Sequence, residues 1–222
     1  MFGLSPQEVQ MIINGVGETL YMTVVATLFG YVFGLPWGIV LTVTNKDGIH
    51  PNRGIYRTLD VITNIMRSIP FLILLILVIP ITKMIVGKTY GSTATIVPLV
   101  ISAAPFIARM VESSLNEVDH GVIEAAQSMG ANNFQIITRV LLGEGKISLI
   151  AGATITIGTI LGYSAMAGTV GGGGLGDIAI RYGYYRYQAN ILWITVILLI
   201  ILVQIFQLIG SLINVKLDKR HI

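Results

Sequence analysis

Charge is what this chain has least of. Its 222 residues include 14 Lys+Arg and 11 Asp+Glu, so 11% are charged, where an ordinary soluble domain carries about 25%. A surface in water needs roughly a quarter to a third of its positions charged, and a soluble globular protein is therefore excluded. Cysteine is absent, which rules out disulfides and thiolate metal sites but names no compartment. His50, His120 and His221 are scattered over polar connections without metal-ligand spacing, so no metal site is expected. Nothing pairs a nucleophile with a base, which leaves an enzyme reading without catalytic residues.

The gaps between charges say more than the total. Nothing ionises at neutral pH within 19–45, 68–82, 89–108, 147–176 or 187–215. A run of about 18 apolar residues reads as membrane-spanning, and every window except 68–82 reaches that length unaided. As a helix, 68–82 covers about 22 Å of the roughly 30 Å hydrocarbon core, so it must extend back to Val61 to cross. Arg67 then lies within or near the membrane. It is either an interfacial arginine whose head snorkels to water or one that lines an aqueous cavity.

These windows predict an all-α integral membrane protein with five transmembrane helices, at about 19–43, 61–82, 92–108, 147–170 and 191–213. Five spans put the termini on opposite sides, and the positive-inside rule selects an outer N-terminus and a cytoplasmic C-terminus. The inner segments then hold Lys46, Arg53, Arg57, Arg67, Arg109, Arg139, Lys146, Lys216, Lys219 and Arg220, against Lys83, Lys88, Arg181 and Arg186 outside. The net charge of +3 follows from that loop bias and calls for no nucleic acid. No basic segment followed by a short apolar stretch and cleavage site opens the chain, so no removable signal peptide is expected.

The expected organisation is an outer segment 1–14, a permease domain 15–213, and a basic cytoplasmic tail 214–222. Ser5-Pro6-Gln7-Glu8 reads as the start of a short surface helix ending near Asn14, with Ser5 as N-cap and Glu8 completing a capping box. Gly30, Gly34 and Gly38 in the first span, and Gly158 and Gly162 in the fourth, form small-xxx-small patterns that let another helix approach closely. Gln204 and Gln207 share one face of the fifth span, a pairing that suits interhelical hydrogen bonding, or less simply substrate contact.

Two nucleotide motifs are present in form only. Gly171-x-Gly173-x-x-Gly176 follows a membrane helix instead of a strand, and no acid comes after Asp177 until Asp218. Its four consecutive glycines are better read as the end of the fourth span. Gly145-Lys146 lacks both the following Ser/Thr and the upstream glycine of a phosphate loop. The chain has no visible means of hydrolysing ATP.

The longest inner connection, 110–146, reads helix, turn, helix. Val122, Ile123, Ala126 and Met129 form an apolar stripe, Gly130 supplies a left-handed stop, and Asn132 or Asn133 can cap a second helix, with Gln135 in the capping-box relation to Asn132. The stripe has no obvious partner in its own chain, which suits docking into a groove on another protein. The acids Glu112, Glu117, Asp119 and Glu124 read as a solvated face.

Glu124-Ala125-Ala126, Gly130 and Val140-Leu141-Leu142 resemble the EAA signature of ABC-importer permeases, with Gly143 in place of its final proline. Met66–Phe71, Ala103–Glu112 and Gly162–Tyr184 extend the resemblance, which points to the bacterial methionine-importing branch. The resemblance implies a type I importer fold in the bacterial inner membrane, assembled as a homodimer with two cytoplasmic ATPase subunits and an extracytoplasmic binding lipoprotein. ATP and Mg would be bound by the partner ATPase, with no cofactor in this chain. Glu124, Ala125, Ala126, Met129 and Gly130 would form the coupling helix, and Met166 would lie near the pore axis as a gate. Gly171–Tyr187 would border the docking surface for the binding protein, although its tyrosines equally suit an interfacial aromatic belt. Five helices hardly enclose a polar path, so two copies should pair through Gly30/Gly34/Gly38 or Gly158/Gly162. Another amino acid or small polar substrate stays open. A self-sufficient secondary transporter or channel is the competing class, disfavoured because the spans contain no Asp, Glu or His.

Overall fold

The computed structural model describes residues 4–217, and these are almost wholly helical. Lys219, Arg220 and His221, including most of the expected basic tail, lie outside the described residues. The helices are α1 (Pro6–Thr44), α2 (Arg53–Ser68), α3 (Phe71–Leu77), α4 (Ile79–Val86), α5 (Ser92–Leu115), α6 (His120–Ser128), α7 (Asn133–Gln135), α8 (Leu142–Glu144), α9 (Lys146–Ala167), α10 (Gly174–Ile178) and α11 (Ala189–Leu217). Wider π turns at Ile136–Leu141 and Ala179–Tyr184 join α7 to α8 and prolong α10. Four helical runs are long and apolar enough to cross a membrane: Pro6–Thr44, Ser92–Leu115, Lys146–Tyr184 and Ala189–Leu217. A fifth crossing exists only if α2 and α3 count together, and these meet at a 101° bend.

That bend corrects the expectation of a straight second span over 61–82. Pro70 has no N–H to donate and disfavours helical geometry at Ile69, which takes an extended conformation with φ −77° and ψ 121°. The apolar run restarts at Phe71 in a new direction. Arg67 belongs to the last turn of α2, on the polar side of the elbow, and is exposed.

The separate surface helix ending near Asn14 is also corrected. The predicted Ser5–Glu8 capping box is present, but the helix it starts runs unbroken for 39 residues to Thr44. At 1.5 Å per residue that is about 58 Å, so α1 projects well beyond a hydrocarbon core of about 30 Å. Its glycines sit where α5 crosses. A Cβ on Gly34 would lie 2.7 Å from the Ala104 carbonyl oxygen, and one on Gly38 would lie 2.6 Å from that of Ala108. The backbones touch because the side chains are missing, which is the role of small residues in membrane packing. Met22, Ala26, Leu99, Ala103, Ile107 and Val111 fill the rest of this seam and are almost fully buried.

At the far end of α9 the glycine run ends the helix as expected. Gly171, Gly173 and Gly174 have φ of +76°, +81° and +75°, values that side-chain-bearing residues rarely adopt. The loop is then fastened to α1. The Gly174 N–H donates to Glu18 Oε2 at 2.7 Å, and the Leu175 N–H donates to Thr19 Oγ1 at 2.9 Å.

Candidate functional site: the coupling segment and the open face of α9

The connection between α5 and α9 folds as helix, turn and short helical run. Asp119 caps α6, its Oδ1 accepting from the Gly121 N–H at 2.6 Å. At the other end Gly130 has φ +80°, its N–H bonds to the Gln127 carbonyl at 2.9 Å, and the Ala131 N–H reaches the Ala126 carbonyl at 3.0 Å. This is the double bond pattern of a glycine-terminated helix. Asn132 and Gln135 then form the predicted capping box around α7. The Gly130 stop and the Asn132–Gln135 box are legible in the sequence, whereas the Asp119 cap reads there only as part of a solvated acidic face.

Its apolar stripe divides, contrary to expectation. Ile123 and Ala126 are buried at 9% and 6% exposure, in one cluster with Leu115, Val118, Ile136 and Leu141. The segment thus has a small core of its own, and Ala126 is covered. Exposed on the surface are Glu124, Ala125, Val122, Met129 and Gly130, joined by Phe134 of α7. Met129 at 82% and Phe134 at 73% exposure are side chains that water alone would not favour. Phe134 escaped the sequence reading because it falls between two caps, outside any periodic stripe.

The fourth-span glycines behave differently from those of α1. A Cβ on Gly158 or Gly162 would meet nothing within 4 Å. Gly162 is exposed on α9 along with Ile155 and Met166, which recur at turns of one face. The opposite side of the helix is closed by Thr156, Ile160, Leu161 and Ser164. Between the two sides, the Tyr163 ring stacks on Phe71 of α3, with centroids 4.6 Å apart and planes 3° from parallel. The chain therefore leaves open the face that carries Met166. Gln204 and Gln207 are exposed on α11 and bond to each other at 3.3 Å, and among the described residues they bond to no other helix.

The acids also divide. Glu117, Asp119 and Glu124 are exposed as expected, whereas the Glu112 side chain is only 4% exposed. Arg109 Nη1 donates to Glu112 Oε2 at 2.7 Å, and Tyr56 Oη donates to Glu112 Oε1 at 3.1 Å. Arg109 Nη2 donates to both Asp60 Oδ1 and Asn64 Oδ1, the latter at 3.0 Å. Arg109 and Glu112 pair within α5, and the partly exposed bonds to Tyr56, Asp60 and Asn64 tie α2 to that pair. The available signal was the spacing of Tyr56, Asp60 and Asn64, four residues apart on one helix face. Arg67 makes no ion pair among the described residues.

Residues 30–221 match the family described as the inner membrane component of binding-protein-dependent transport systems. The "Probable D-methionine transport system permease protein MetI" of Vibrio cholerae is 50% identical over 210 residues, covering 95% of this chain and 93% of that one. The D-methionine transport system permease protein MetI of Escherichia coli K12 is 52% identical over 158 residues, covering 71% of this chain and 73% of the relative. Among solved structures, a chain of the MetNI methionine ABC transporter in an inward-facing conformation superimposes with a TM-score of 0.95 at 48% identity, covering 97% of this chain and all of that one. An amino acid ABC transporter with histidines shares the fold at a TM-score of 0.77 and 21% identity. With the match over 30–221 and half-identical relatives covering most of its length, the chain belongs to the family of inner membrane components of binding-protein-dependent transport systems.

Proposed function

We propose that this chain is the permease of an ATP-driven methionine importer and builds the translocation path as a homodimer. It is a multi-pass inner membrane subunit, and ATP hydrolysis belongs to a separate ABC ATPase. The observation that carries the substrate assignment is the likeness to the methionine transporter chain, at 48% identity over 97% of this one. ATP and Mg are bound by that partner, and the present chain supplies no cofactor site of its own.

Glu124, Ala125, Met129, Gly130 and Phe134 dock in a cleft of the ATPase, with Ile123 and Ala126 holding the docking helix to its own chain. Docking through exposed apolar anchors on a short helix follows the helix-in-groove mode. When ATP draws two ATPase subunits together, both docking helices move. Because the segment is packed into one core with Leu115 and Leu141, the motion passes into α5 and α9 as a rigid displacement. The Met166 face of α9 meets its counterpart from a second copy, with Gly158 and Gly162 giving room for close approach, and Met166 gates the path between them. Arg67 at the elbow of α2 borders the path's inner mouth. The N-terminus lies outside and the C-terminus in the cytoplasm, by the distribution of Lys and Arg. A binding lipoprotein delivers substrate to the outer face near Gly171–Tyr187 and sets specificity.

Reconstitution with the ATPase and binding protein tests the assignment. The expected result is methionine uptake that requires ATP and all three components. Uptake by this chain alone overturns the coupled mechanism, and saturation by a different amino acid without methionine competition overturns the substrate.

A further inference from the structure

Helix α2 is unusual in how it is held. Thr63 is its one fully buried residue, and Ile55, Val61, Ile62 and Ile65 are all between 41% and 60% exposed. Apolar packing therefore does little to fasten it. Its attachment to α5 runs through the row Tyr56, Asp60 and Asn64, whose side chains converge on the Arg109–Glu112 pair. On one side of that node, α5 continues through Leu115 and Val118 into the docking helix α6, all within a single buried cluster. On the other, α2 ends at the Ile69–Pro70 elbow, and Phe71 beyond it stacks on Tyr163, one turn before Met166 on α9.

We propose that Asp60, supported by Asn64, is a positioning residue that makes α2 move with α5, so that docking-helix displacement reaches the elbow and the Phe71–Tyr163 contact. The inference rests on the docking role of α6 and adds a second route from it to the pathway face, besides the direct continuation into α9. A polar clasp suits this task better than an apolar seam. Hydrogen bonds from a planar guanidinium fix direction as well as distance, whereas apolar contacts let a helix slide. Glu112, held from two sides in a nearly closed environment, keeps the guanidinium aimed at α2.

The absence of cysteine allows the motion to be read directly, because spin labels can be placed at Ile62→Cys and Ser113→Cys without removing native thiols. In the assembled transporter the expected α2–α5 distance distribution is narrow with and without ATP. Asp60→Asn should broaden it and raise the ATP hydrolysed per substrate imported several-fold, with the ATPase still copurifying. Asp60→Glu should restore both. A wild-type distance distribution and transport ratio in Asp60→Asn would overturn the proposal. If that variant fails to assemble, Asn64→Ala removes a single bond and should give an intermediate broadening; no change there overturns the proposal equally. Met129→Glu, measured alongside, separates the two readings. It should release the ATPase and leave the α2–α5 distance unchanged, while retained ATPase would count against docking and not against the clasp.

Discussion

Two glycine patterns with the same four-residue spacing have opposite surroundings. On α1, Gly34 and Gly38 are pressed against the backbone of α5, and a Cβ would lie 2.7 Å and 2.6 Å from carbonyl oxygens. On α9, Gly158 and Gly162 look into open space. The spacing alone announces that a helix can come close; it does not say whose helix. In α1 the approach is completed within the chain, and the motif is a matter of folding. In α9 nothing among the described residues completes it, and beside Met166 the open face is the one that the proposed pairing of copies would use.

The largest effect is expected from Gly34→Leu. Overpacking costs about 1–3 kcal/mol even where side chains can yield, and here the obstacle is backbone. The variant should melt at clearly lower temperature in detergent and lose transport. A wild-type melting curve would abolish the contrast between the helices. Gly162→Leu should leave the melting of the isolated chain unchanged but impair pairing of copies and substrate uptake. Normal crosslinking between copies and normal uptake would assign the α9 face to lipid. The smallest effect is expected from Gly143→Ala, a helical glycine with nothing within 4 Å of its missing Cβ. Relief of backbone entropy should raise stability by about 0.5–1 kcal/mol, with transport unaltered. A loss of transport there would show that open space around a glycine is not enough to predict tolerance.

Local signals were read well from the sequence, and directional ones poorly. Both capping boxes, the left-handed Gly130 and the stop at Gly171–Gly174 depend on residues within a few positions of each other, and each is present. The bend at Pro70 was missed because charge gaps report where lipid is tolerated, whereas a proline's effect on direction depends on what the next helix packs against. Continuity of α1 past Asn14 was missed for a related reason: Glu18 marks the end of a charge-free window, not the end of a helix. The burial of Ile123, Ala126 and Glu112 depends on partners ten or more residues distant, such as Ile136, Leu141 and Tyr56. No periodicity contains that information.

The latch between α1 and the glycine loop has a consequence for how the protein is made. Glu18 and Thr19 accept from backbone groups 156 residues later in the chain. At about 5–20 residues per second, a ribosome supplies those donors roughly 8–30 s after Glu18 itself. During that interval the Glu18 carboxylate and the Thr19 hydroxyl lack the backbone partners that hold them in the finished fold. Synthesis therefore determines when this end of α1 is fastened: the helix is made first, and the turn that locks it is made only after α9.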